Sequence, residues 1–150
     1  MTSSNPLLLL SGLLCFFFAI FQAAIGFSPS LSLYFGAPEF LVQDRLVLVG
    51  TSLAISLLAT VSGCYALSGA GKIRPLPGLK WVLVALGGIF FLRGILFFPE
   101  ALAVAGIIQS PIPLAPRFVV FSLLAFIAAL IFITGLIKGW KNLPRANPTP

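Results

Sequence analysis

Arg93 stands where an arginine is costly. In the run LKWVLVALGGIFFLRGILFF, from Leu79 to Phe98, it lies five residues inside the final phenylalanine, roughly 7 to 8 Å below the rim of a helix rising about 1.5 Å per residue. A guanidinium at that depth must snorkel to water or meet an anion. Gln22, Ser52 and Ser122 fall at matching depths in three other apolar runs, so the four side chains define a polar layer within about 5 Å of one height. Glu39, Asp44 and Glu100 lie just above it. Such a layer could hold an anion or a polar solute around Arg93. It offers no familiar catalytic constellation, because the chain has no histidine, no acid in the interior of a predicted span and no nucleophile beside a base. The expectation is therefore not an enzyme, with neither cofactor nor metal. Cys15 and Cys64 form no CxxC and have no histidine to complete a metal site. Both read as small residues inside apolar segments rather than as a disulfide.

The elements that position this layer are membrane spans. Of the 150 residues, 59% are apolar and 8% charged, with a mean hydropathy of +1.14, whereas soluble domains run about 45 to 50% apolar and about 25% charged. The net charge of +6 does not suggest nucleic acid, since the basic residues sit beside apolar spans rather than along a groove with stacking aromatics. Their expected partner is anionic lipid headgroup.

Four spans are predicted, at about Leu7 to Phe27, Asp44 to Ser68, Leu79 to Phe98 and Phe118 to Ile137. The first lacks the positive start and small-residue cleavage site of a signal peptide, so it is expected to be kept. Between the first two spans, Ser28-Pro29 and Ala37-Pro38-Glu39 are helix-start signatures separated by Gly36. Two readings stay open for this connection: a short interfacial helix followed by a ramp, or an irregular loop on the headgroups. After the third span, Pro99 to Pro116 is expected to be a connection, closed to helix by Pro111, Pro113 and Pro116. The fold class is thus all-α and polytopic, four transmembrane helices in an up-down-up-down bundle over residues 1–141, with a disordered tail at 142–150.

In the second span Ser52, Ser56, Ala59, Gly63, Ala66 and Ala70 recur at spacings of 4, 3, 4, 3 and 4, which draws a stripe of small residues down one helical face. Small residues mark helix contacts in lipid, where acyl chains solvate leucine as well as protein does. The stripe predicts close packing with Gly63 at the nearest approach. A pore lining is the alternative, and it needs polar groups that the stripe mostly lacks below Ser56.

The block YALSGAGKIRPLPGLK from Tyr65, followed by FLRGILFFP from Phe91, resembles a family of small, uncharacterised bacterial inner-membrane proteins with four helices. Such proteins often carry two basic residues before Leu-Pro, where this chain has Arg74 and then Pro75. The resemblance covers about a quarter of the chain. It implies a bacterial inner membrane and carries no activity with it.

Charge sets the expected orientation. Lys72, Arg74, Lys80, Lys138, Lys141 and Arg145 fall on one side, against Glu39, Asp44 and Glu100 with only Arg45 and Arg117 on the other. The positive-inside rule then puts both termini in the cytoplasm. The two halves share an outline, each with a long outer connection running from a proline to an arginine, and either a repeat about the membrane normal or coincidence accounts for that. Two functions remain in view. One is a structural or accessory bundle that binds another membrane protein, a second copy of itself or lipid. The other is a small transporter or oligomeric channel subunit with its site at Arg93. For Arg93 itself, snorkelling stands beside pairing with an outer acid, Asp44 being the expected partner because it opens the next helix inward.

Overall fold

A computed structural model describes residues 5–109 and 116–143, all of whose regular elements are helical. They are α1 (Pro6–Gly26), α2 (Pro29–Tyr34), α3 (Glu39–Gln43), α4 (Arg45–Gly69), α5 (Leu79–Ile95), α6 (Phe97–Val104) and α7 (Pro116–Gly139), followed by a 3₁₀ turn, Trp140–Asn142. Local chemistry explains where they start. Asn5 caps α1 by accepting from the Leu7 and Leu8 amides, with Pro6 in the first turn. Ser28 and Pro29 open α2 in the same way. Asp44 caps α4, its Oδ1 2.8 Å from the Leu46 amide. Between α2 and α3, Gly36 takes a φ of 96°, which a residue with a Cβ adopts only under strain. The connection from α1 to α4 is thus two short helices broken at Gly36, and the irregular-loop reading falls away.

Four stretches are long and apolar enough to cross a membrane: Pro6–Gly26, Arg45–Gly69, Leu79–Val104 and Val119–Gly139. Phe17, Leu57, Leu92 and Leu124, one on each, are all more than half exposed. Side chains like these suit hydrocarbon, where backbone groups bonded within helices need no water. The chain fits a multi-pass membrane protein.

The third stretch differs from the sequence expectation. Helix does not stop at Phe98; it breaks only at Leu96 and resumes through Pro99 to Val104. Pro99 has no amide to give to the Ile95 carbonyl, and its ring crowds that carbonyl, which accounts for the break. In the first turn of a new helix the missing donor costs nothing. Residues 110–115, with Pro111 and Pro113, lie outside the described residues.

The helices associate in two antiparallel pairs. Along α1 and α4, Gly12 meets Gly63, Ala19 meets Ser56, and Gly26 meets Ser52. Along α5 and α7, Gly87 faces Phe132 and Ile133, while Gly94 faces Phe126. The pairs join at the end that carries Lys80 and Lys138, where Leu8, Ala66, Ala70, Leu79, Leu83, Phe132, Leu136 and Leu143 form the apolar core. Asn5 strengthens that junction, its Nδ2 donating to the Gly135 carbonyl at 2.7 Å. At the opposite end Phe35 bridges the pairs, with its ring 4.9 Å from Phe21 and 5.2 Å from Phe121. Folded structure reaches Leu143, which is buried in the core; the rest of the segment read as a tail lies outside the described residues.

Candidate functional site

Arg93 occupies the last turn of α5, where the partial negative charge of the helix end favours a cation. Its neighbour Gly94 lets α5 approach α7 closely, since a Cβ there would stand 2.8 Å from the Cα of Phe126. Across that contact the Arg93 Nη1 donates to the fully buried hydroxyl of Ser122 at 3.0 Å. The same nitrogen is 3.8 Å from Oε1 of Glu100.

Asp44 is therefore not the partner of Arg93. The expected pairing assumed that the helix ended before Pro99, whereas its resumption sets Glu100 seven positions beyond Arg93. Seven residues are close to two helical turns, and across the break at Leu96 the two long side chains reach each other, Nη1 to Oε1 at 3.8 Å. Asp44 is occupied in capping α4. The Arg93 side chain is not drawn into the bundle interior either, being 51% exposed, while that of Glu100 is 19% exposed. The other carboxylate oxygen, Oε2 of Glu100, is buried and has no hydrogen-bond partner among the described residues.

The predicted polar layer divides in two. Arg93, Ser122 and Glu100 come together on the α5–α7 pair, whereas Gln22 and Ser52 line a separate cleft of about 260 Å³ between α1, α4 and the α2–α3 connection. Thr51, Ser32 and Phe35 also line it. Among the described residues no hydrogen bond or ion pair joins Gln22 or Ser52 to the Arg93 cluster. Glu39 lies exposed in the first turn of α3 and joins neither group.

The small-residue stripe faces protein along much of its length. Ser52, Ala59, Gly63, Ala66 and Ala70 are buried, and Ser56 donates to the Ala19 carbonyl of α1 at 2.8 Å. The nearest approach is not at Gly63, where a Cβ would have 3.1 Å to the Phe16 ring, but at Gly26, where it would overlap Cβ of Ser52. The stripe marks the α4 side of the contact; the tight point is set by a glycine on α1, outside the pattern that was read.

On the opposite rim Lys72, Arg74, Lys138 and Lys141 are exposed. Lys80 places its Nζ 5.0 Å from the centre of the Trp140 ring, a cation–π contact tying the start of α5 to the end of α7. Arg145 and the Arg117 side chain lie outside the described residues. The loop bearing Lys72 and Arg74 is pinned by Ser68, a buried hydroxyl that donates to the Arg74 carbonyl and accepts from the Leu76 amide, both at 3.0 Å.

Two working residues escaped the sequence reading. Asn5 carried a signal for its local role, an Asn-Pro pair before an apolar run, but none for its bond to Gly135, 130 residues away. Phe35 carried none, because one aromatic among 15 phenylalanines has nothing to mark it. Cys15 and Cys64 are free thiols, the first buried and the second partly so. Comparison of the chain with models of protein families, with curated proteins and with solved structures finds no match.

Proposed function

We propose that this chain is an integral membrane protein of structural or accessory type, whose helices bind another membrane protein, a second copy of the chain, or lipid. The observation that supports this reading is the closure of Arg93 within its own chain, by Ser122 at 3.0 Å and Glu100 at 3.8 Å. An arginine in a solute site would be expected to keep its donors aimed at a cavity. Here Nη1 is turned to Ser122 of α7 and Glu100 of α6, which ties α5 to both.

In this proposal the membrane is a bacterial inner membrane, as the sequence resemblance implies, and the basic rim with both termini faces the cytoplasm. A cytoplasm-active reporter fused after Arg145 is expected to work, and activity of a periplasm-active reporter there would reverse the orientation.

The second reading, a small transporter or channel subunit, draws on the half-exposed Arg93 and on the cleft of about 260 Å³ lined by Gln22 and Ser52. Photo-crosslinkers at Leu57 and Leu92, on the outer faces of α4 and α5, separate the two in native membranes. A discrete protein adduct or a homodimer supports the accessory bundle. Adducts to lipid alone, together with saturable solute binding that Arg93→Ala abolishes, would favour transport.

A further inference from the structure

We propose that the crevice between the start of α5 and the end of α7 is a headgroup site for one anionic glycerophospholipid. The inference rests on the membrane reading above and names a ligand for it. The crevice is open, has a volume of about 640 Å³ and is lined by Val84, Leu136, Ile137, Lys138, Trp140 and Lys141. That size lies within the usual range of small-molecule sites, about 300 to 1,000 Å³, and suits a headgroup with the first carbons of its chains.

Charge identifies the occupant. Lys138 lies in the last turn of α7 and Lys141 follows in the 3₁₀ turn. Both line the crevice, three residues apart across the junction of helix and 3₁₀ turn, and an anion held between two such cations would offset their mutual repulsion. No carboxylate does so among the described residues, since the chain's three acids, Glu39, Asp44 and Glu100, all lie at the other end of the bundle. Neither lysine takes part in an ion pair among the described residues. Lys80 is engaged with the Trp140 ring, and that indole, a residue type that suits a membrane interface, lines the crevice.

Apolar surface distinguishes a lipid from a free anion. Val84 and Ile137, both exposed, line the crevice beside the lysines. A phosphodiester between Lys138 and Lys141 would send its acyl chains along these two residues. Inorganic phosphate would make no use of them.

The full-length protein, exchanged from phosphatidylcholine bilayers containing phosphatidylglycerol and examined by native mass spectrometry, should retain one phosphatidylglycerol in preference to phosphatidylcholine. Lys138→Gln with Lys141→Gln should weaken that retention tenfold or more, at about 1 kcal/mol per lysine near the surface. Lys72→Gln with Arg74→Gln, which removes the same charge from the same rim, should weaken it less than about threefold. Equal losses in the two pairs would replace the site by diffuse attraction, and no preference for the anionic lipid would remove it. Competition by inorganic phosphate at the concentration where the lipid binds would make it a free-anion site and overturn the assignment to lipid. Any of these failures, with the chain resistant to alkaline extraction from membranes, leaves the accessory bundle standing; extraction by alkali would remove both.

Discussion

Arg93 and Ser122 meet across the α5–α7 contact at 3.0 Å, and that bond holds the guanidinium beside Glu100 rather than beneath Asp44. Glu100 is mostly buried and already has one oxygen without a partner among the described residues. Removing Arg93 leaves the whole carboxylate unanswered. Arg93→Ala should therefore destabilise the protein more than Arg93→Ala combined with Glu100→Gln, with a coupling of about 1 kcal/mol. The same cycle run with Asp44→Asn should be additive, since asparagine caps a helix about as well as aspartate. Melting in detergent reads both cycles, and coupling to Asp44 instead of Glu100 would mean that the helix ends before Pro99.

The α1–α4 contact makes a graded prediction for alanine at three glycines. At Gly26 the added Cβ would overlap Ser52; at Gly63 it would have 3.1 Å to a phenylalanine ring; at Gly50 nothing lies within 4 Å. Overpacking typically costs about 1 to 3 kcal/mol, while alanine gains up to about 1 kcal/mol in helix propensity. Gly26→Ala should lower the melting midpoint most, Gly63→Ala less, and Gly50→Ala should leave it unchanged or raise it. A Gly63 effect larger than that of Gly26 would restore the centre of the stripe as the nearest approach.

Asn5 separates two roles that a single substitution usually confounds. Its Oδ1 caps α1, and its Nδ2 ties that cap to the Gly135 carbonyl. Aspartate keeps the cap but has no donor for the carbonyl. Asn5→Asp should therefore destabilise nearly as much as Asn5→Ala, for which cap loss alone is worth about 0.5 to 2 kcal/mol. If Asn5→Asp melts like the parent protein, the bond between α1 and α7 contributes nothing.

Much of this architecture was legible because hydrocarbon imposes strong constraints on a chain. Apolar runs of about 20 residues give the spans, Asp44 and Ser28 mark helix starts, and the small residues from Ser52 to Ala70 mark a contact. The polar layer was legible in one dimension only. Counting residues along a helix gives the depth of a side chain, but its direction around the bundle depends on which helices pair. Gln22 and Ser52 share the depth of Arg93 and Ser122 and still belong to another pair. The partner of Arg93 was misread for a different reason: Pro99 ends a helix as seen from Ile95, yet stands comfortably in the first turn of the next one.

Uptake of small anions and polar solutes into proteoliposomes, compared between the parent protein and Arg93→Ala, tests the accessory reading most directly. If Arg93 serves to hold α5, α6 and α7 together, the two proteins should give the same flux, no greater than that of empty liposomes, while differing in melting midpoint. Saturable uptake by the parent protein that disappears in a correctly folded Arg93→Ala protein would contradict the account.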